Sequence, residues 1–241
     1  KQLEPLKIHH DPNLNLPFTL GAIGYLGYDT AWQLEKLPAY SKHDVTLPEA
    51  QVGIYHWSIV TDHHSKTTLL IAIDKQTAEQ VTELLQNPPQ KNTKLALESS
   101  FQSNMSFSKY RQSFNRLKQH IIDGDCYQAN LCQRFTASYS GDPWTAYNTL
   151  RSASPAPFSA YINCDKGALI SLSPERFIEC QNNRVQTQPI KGTMLRYSDK
   201  DKDNQSANTL LNSEKDRAEN TMIVDLLRND ISKICEPHSV K

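Results

Sequence analysis

This sequence predicts an α+β fold, built from antiparallel sheets with separate helices. Three observations carry that expectation. Short β-branched and apolar runs follow one another through tight turns, as at Phe158–Asn163, Ala168–Leu172, Arg176–Cys180 and Val185–Thr193. Apolar residues at helical spacing are confined to a few isolated stretches. Strands and helices do not alternate one for one, which a doubly wound parallel sheet would require.

Taken in order, residues 1–50 hold several prolines and the string Gly21-Ala-Ile-Gly24-Tyr-Leu-Gly27-Tyr-Asp29. Its spacing fits neither the dinucleotide fingerprint nor the P-loop. A glycine-rich strand or bend in close backbone contact is expected instead. Val52–Val60 and Thr67–Asp74 read as a hairpin whose turn is Asp62–Lys66, with the His63-His64 pair in a solvated turn. Lys75–Gln86 carries Ala78, Val81, Leu84 and Leu85 at helical spacing. Asn87–Ser108 reads as a linker around one short strand near Lys94–Leu97. Ser108 is the expected N-cap of a helix with Tyr110, Phe114, Leu117 and Ile121 on one face, ended by Asp123-Gly124. Cys126–Ser138 follows as a strand, and Asp142-Pro143 opens a helix to about Ser152. The turns of the later strands are Asp165-Lys166-Gly167 and Gln181-Asn182-Asn183. Tyr197–Asn212 is polar and reads as a loop. Ser213 and Asp216 form a capping pattern for a helix through about Arg228.

The 241 residues, 38% hydrophobic and 22% charged, fit a globular protein with a real core. Lys+Arg and Asp+Glu number 26 each, so the chain lacks the broad positive field of non-specific nucleic-acid binding. No apolar run is long enough to cross a bilayer, and no signal-peptide pattern opens the chain, so a cytoplasmic protein is expected. The five cysteines, an odd number without Cys-x-x-Cys spacing, point to reduced thiols rather than a disulfide framework or a structural zinc site. The chain opens at Lys1 without an initiator Met and stops at Lys241, and both ends are expected to be cut from something longer.

Three features could carry chemistry. Alternation along Val185–Thr193 would put Thr187, Pro189, Lys191 and Thr193 on one face. If that face is enclosed, desolvation disfavours the ammonium of Lys191 and leaves a neutral amine as nucleophile or base. Spacing alone favours the simpler reading, an edge-strand lysine facing solvent. Glu175, in Ser173-Pro-Glu-Arg-Phe177, lies at a strand junction where a protonated carboxyl could serve a leaving oxygen. The simpler alternative pairs it with Arg176 or a neighbouring turn. Glu219 recurs with Met222, Ile223 and Leu226 on the inward stripe of a helix, and Asp216 lies one turn earlier. Their hard oxygens suit Mg²⁺, and a salt bridge from Glu219 competes evenly with that reading.

Read in series, Gly24-Tyr-Leu-Gly-Tyr28, Gly124-Asp-Cys-Tyr-Gln-Ala-Asn-Leu131, Ser173-Pro-Glu-Arg-Phe177, Pro189-Ile-Lys-Gly-Thr193, Asp216-Arg-Ala-Glu-Asn220 and Ile223-Val-Asp-Leu-Leu-Arg-Asn-Asp230 resemble the chorismate-utilising enzymes, in order and over most of the chain. The series reverses the preference drawn from spacing. Lys191 directs the resemblance to the branch that aminates chorismate at C4, 4-amino-4-deoxychorismate synthase component I. The anthranilate synthase component I branch is similar but typically has a small residue there, and it remains the alternative.

The resemblance implies a sandwich of two large antiparallel sheets flanked by helices. Residues 1–107 would supply its N-terminal part, and 108–241 the first half of the catalytic region. It implies that Lys191 attacks C2 of chorismate, that Glu175 protonates the departing hydroxyl, and that Gly192 and Thr193 line the pocket. It also implies Mg²⁺ on the substrate carboxylate, with Glu219 matching one ligand position. A glutamine amidotransferase partner would supply ammonia, and the product would feed 4-aminobenzoate and folate synthesis. Pro157, Phe158 and Ser159 match a segment that contacts tryptophan in some relatives, although an ordinary core strand is a serious competitor. Family members extend beyond both ends of this chain. The 241-residue segment alone is therefore expected to be inactive or very weak, and a non-catalytic fragment binding tryptophan or the amidotransferase is the third reading.

Overall fold

The structure, a computed structural model, describes residues 16–38, 44–88 and 93–241. Among them the strands form six two-stranded sheets, accompanied by six α-helices. The α+β class holds, and the large sheets of the expectation are represented among the described residues by these short ladders. The chain divides into two compact units, Lys1–Thr145 with Ile162–Ala168, and Ala146–Tyr161 with Leu169–Lys241.

In the first unit, Gly21–Leu26 (β1) pairs antiparallel with Ala50–Tyr55 (β2), with Gly24 opposite Val52. A Cβ at Gly24 would collide with the carbonyl oxygen of Gln51, so the glycine string is a strand in close backbone contact, as expected. A 3-10 turn at Tyr28–Thr30 and a one-turn helix at Ala31–Leu34 (α1) follow. The Gly27 amide (2.6 Å) and the Thr30 hydroxyl (3.2 Å) both donate to the Glu49 carbonyl and tie this bend to the start of β2.

Trp57–Asp62 (β3) pairs with Thr67–Ala72 (β4). Their turn is closed by Asp62, which accepts from the His64 amide (2.8 Å) and the Ser65 hydroxyl (2.7 Å). His63 and His64 are exposed there. The run expected as one strand over Val52–Val60 is broken at His56, because its two halves have different partners, β1 and β4. Lys75–Gln86 (α2) matches its expected span, and its Val81 is 3% exposed. Asp74 caps it by accepting the Thr77 amide at 2.7 Å.

The linker holds two short strands rather than one, Ala96–Leu97 (β5) and Gln102–Ser103 (β6); its residues 89–92 lie outside the described residues. The helix Phe107–Ile122 (α3) is capped by Ser106, not Ser108: Ser106 Oγ accepts the Lys109 amide at 3.3 Å, and Ser108 sits in the first turn. The strand expected over Cys126–Ser138 shrinks to Phe135–Thr136 (β7), which pairs with β6. The ladder ends at Arg134, whose amide is taken by the Asn104 side chain (3.2 Å) and whose guanidinium is held bidentately by Asp44 (2.9 and 2.6 Å). Tyr139–Ser140 (β8) pairs with β5.

Asp142 accepts the Trp144 amide at 3.0 Å and opens Pro143–Ala153 (α4), as its Asp-Pro signature predicts. In the second unit Tyr147 is buried, with its ring 5.7 Å from that of Tyr161. Phe158–Cys164 (β9) and Gly167–Ser173 (β10) form one hairpin. Arg176–Gln181 (β11) and Arg184–Gln188 (β12) form another. Asn182 and Asn183, at φ 50° and 60°, give the second hairpin the left-handed turn that matches strand twist.

The stretch expected as a loop over Tyr197–Asn212 is largely a helix, Lys200–Leu211 (α5). Its driving features are polar: Asp199 accepts the amides of Asp201 (3.1 Å) and Lys202 (3.0 Å), and its buried residue is Ser206. Glu214–Ser232 (α6) starts at the expected Ser213 cap, which accepts the Asp216 amide at 3.3 Å. None of the five cysteines is paired in a disulfide, and Cys164 is buried. No helix among the described residues is long and apolar enough to cross a membrane.

The amide of Thr77 holds the Asp74 carboxyl below the usual aspartate range. A lowered folded-state pKa contributes stability that is present above the unfolded value and lost as pH falls through the folded one. The protection factor of the Thr77 amide is therefore expected to be flat above about pH 4 and to fall below it. Asp74→Asn, which keeps an acceptor that does not titrate, should remove that fall. Hydrogen exchange read residue by residue checks it, and an identical acid decline in both proteins would contradict it.

Candidate active site

The site is built on the β11–β12 hairpin of the second unit. Arg176 stands opposite Gln188, and the register slips by a bulge between Arg176 and Glu179. Glu175, just before β11, therefore lies beside the residues just after β12. Pro189 has no N–H to donate. The next amide, that of Ile190, donates to Glu175 Oε1 at 3.2 Å. Lys191 follows, and its Nζ lies 4.0 Å from the same oxygen. The Lys191 side chain is 23% exposed and that of Glu175 47%. At that distance and exposure the pair adds no more than about 1 kcal/mol to stability, so its interest is positional.

The expected alternation through Val185–Thr193 stops with β12 at Gln188. Two local causes end it: the missing amide of Pro189, and Gly192 at φ +76°. Thr187 still sits in the strand and donates to the Phe177 carbonyl at 2.7 Å. Gly192 turns the chain at a place with no room for a side chain. A Cβ there would lie 2.7 Å from Leu210 Cδ1 and 3.0 Å from Asp216 Cγ. The turn that carries Lys191 thus packs against the first turn of α6, where Asp216 is half-buried. Glu219, one turn on, is half-buried as well, and Thr193 is exposed.

Glu175 is presented by a tight local turn. Ser173 Oγ accepts the Glu175 amide at 3.1 Å and lies 3.3 Å from the Glu175 carbonyl, spanning Pro174. Arg176, the neighbour that could have neutralised Glu175, pairs instead with Glu179. Its guanidinium also stacks over the Phe158 ring, 5.3 Å from the centroid. Ser159 donates through its hydroxyl (2.8 Å) and its amide (3.3 Å) to the Ala156 carbonyl, so this hydroxyl closes its own turn around Pro157.

Among the described residues no three His, Cys, Asp or Glu side chains gather as a metal site. Asp216 and Glu219 alone could offer two carboxylates from consecutive helical turns. That donor set suits Mg²⁺, which is commonly held by one or two carboxylates and keeps several waters. Neither the Ile190 amide as a clasp nor the residues of α5 beside the Gly192 turn stand out in the hydrophobic pattern of the sequence. Asp199, followed by Asp201 and Asp203 in a first turn, was the signal for that helix.

The chain matches the chorismate binding enzymes across residues 1–241. It is 45% identical over 240 residues to aminodeoxychorismate synthase component 1 of Salmonella typhimurium, covering 100% of this chain and 53% of that protein. The component 1 of Escherichia coli is likewise 45% identical over 240 residues, covering 99% and 52%. Among solved structures, anthranilate synthase component I from Streptococcus pneumoniae superposes with a TM-score of 0.79 at 28% identity, over 93% of this chain and 52% of that one. The chain spans about half the length of these relatives.

Alanine at position 192 meets both a left-handed backbone and occupied space. Gly192→Ala in the intact protein is expected to cost about 1–3 kcal/mol, read as a lower urea midpoint. An unchanged midpoint would show that the turn relaxes freely.

Proposed function

This chain belongs to the chorismate binding enzyme family, and from that premise we propose that it is the part of a chorismate-aminating enzyme that carries the nucleophile and the proton donor. The observation that carries the proposal is the placing of one amine and one carboxyl on the two arms of one hairpin, Lys191 Nζ 4.0 Å from Glu175 Oε1. Nucleophilic catalysis needs a nucleophile within reach of a proton-transferring group. The 45% identity to aminodeoxychorismate synthase component 1 supports amination at C4 in particular.

In the proposed reaction the Lys191 amine, in its neutral form, attacks C2 of chorismate. The ring double bonds shift, the C4–O bond breaks, and the hydroxyl leaves as water with the proton of the Glu175 carboxyl. On forming the C2–N bond the amine passes its own proton to the Glu175 carboxylate left by the first transfer. Ammonia then attacks C4 and gives up one proton, the double bonds shift back, and the C2–N bond breaks as the Lys191 nitrogen takes up that proton, releasing the lysine and 4-amino-4-deoxychorismate. Two substitutions with low barriers replace one difficult exchange of hydroxyl for amine. Glu175 is held for this role by the Ile190 amide and the Ser173 turn.

Asp216 and Glu219 are the residues of this chain that would hold Mg²⁺. When bound, the ion would offset the negative charge of the substrate carboxylate. Gly192 and Thr193 would border the pocket. Ammonia would come from a glutamine amidotransferase, in keeping with the "component 1" name of the relatives. The product would feed 4-aminobenzoate and folate synthesis. Pro157, Phe158 and Ser159 would be the residues in contact with tryptophan.

In the full-length protein with excess ammonium, Lys191→Ala is expected to lower 4-amino-4-deoxychorismate formation at least about 100-fold. Quenched turnover of the unmodified protein should leave a chorismate-derived mass on the peptide containing Lys191. Full activity in the alanine variant, with no adduct, would discard the nucleophile. Anthranilate and pyruvate as products would move the protein to the anthranilate synthase branch.

A further inference from the structure

Beyond Lys191 the chain runs from Gly192 to Asp199 without regular structure before entering α5. Apolar packing does little to hold it, since Met194 is 43% and Leu195 72% exposed. Side chains on one face of α5 hold it instead. Leu210 Cδ1 fills the space that a Cβ at Gly192 would need. Ser206, 8% exposed, donates its hydroxyl to the Leu195 carbonyl at 2.7 Å. Asp203 accepts Arg196 Nε at 2.8 Å and Nη2 at 2.9 Å on its two oxygens, and the Tyr197 amide at 2.9 Å. Asp203, Ser206 and Leu210 recur at steps of three and four, the spacing of a single helical stripe. They meet the segment in antiparallel order, from Tyr197 and Arg196 through Leu195 to Gly192, so α5 lies along it as a splint.

The Asp203 end of this splint has the strictest geometry. Its side chain is 23% exposed while that of Arg196 is 88% exposed, so the carboxylate is the fixed partner and the guanidinium closes over it. A bidentate arginine–carboxylate pair specifies direction and distance even where solvent makes it weak. Its consequence here is orientation of the backbone that leads away from the amine.

We propose that Asp203, clasped by Arg196, is a positioning residue that holds the Lys191–Gly192 turn in register with Glu175. This inference rests on the amination reading above. The side chain of Asp203 bonds Arg196 and the Tyr197 amide, and it acts through the segment it holds.

Two readouts in the full-length protein test it. Acylation of lysines by acetic anhydride, followed by peptide mass spectrometry, reports the surroundings of Lys191 without any substrate, with Lys75 as internal reference. Asp203→Ala is expected to change the Lys191 rate at least about threefold and to leave Lys75 unchanged. It should also lower kcat about tenfold with KM within about twofold. Asp203→Asn keeps the Oδ1 acceptor shared by Arg196 Nε and the Tyr197 amide, and should restore most of both. If Asp203→Ala does not fold, Arg196→Ala removes the exposed partner and is expected to move both readouts in the same direction. Unchanged Lys191 acylation in the folded variants overturns the clamp, whatever turnover does. A changed acylation rate in a protein that forms no chorismate adduct upholds the clamp as the holder of Lys191 and discards the amination reading instead.

Discussion

The Ile190 amide donates to the carboxylate of Glu175, and the local geometry of the site depends on that bond. Proline at 189 withdraws one backbone donor from the hairpin, so the ladder between β11 and β12 cannot run on. The next donor is taken by a side chain instead of a strand. This closes the hairpin with the same carboxyl that stands 4.0 Å from the Lys191 amine. A residue with no reach, or with no acceptor, at position 175 would leave Ile190 without this partner and the lysine without its neighbour. The bond is half-exposed and contributes little energy. It contributes direction, which proton transfer and nucleophilic attack both require.

Around this bond the competing interactions are diverted. Arg176 is adjacent to Glu175 in sequence and would be its natural counter-ion. The bulge after Arg176 and the Phe158 ring carry its guanidinium to Glu179. Gly192 then turns the chain where any side chain would strike Leu210 or Asp216, which brings the amine-bearing turn and the acidic start of α6 together. Charge selection and backbone sterics thus act on the same few residues, and neither depends on deep burial.

Much of this was legible before any coordinates. Ser213 and Asp216 announced the start of α6, Asp142-Pro143 that of α4, and Asn182-Asn183 the hairpin turn, because each signal acts within four residues of itself. The Lys191, Glu175, Asp216 neighbourhood emerged from ordered motifs, since spacing alone favoured a solvent-facing lysine. What stayed hidden depended on partners distant in sequence. The strand run at 52–60 divides because β1 and β4 compete for it, and Cys126–Ser138 loses its ladder where Asn104 and Asp44 capture Arg134. Helix α5 escaped because its inward residues include an aspartate and a serine, which hydrophobic periodicity does not weigh. Their value shows only against the backbone of Leu195 and the side chain of Arg196.

In the proposed reaction Lys191 and Glu175 address two carbons of one substrate. A crystal structure of the intact protein with chorismate, trapped in the absence of ammonia, tests it most directly. The Lys191 nitrogen is expected to be bonded to C2 of the ring or within about 3.5 Å of it, with the C4 substituent facing the Glu175 carboxyl. A ring bound with C2 beyond the reach of Lys191, or with C4 turned away from Glu175, would contradict it.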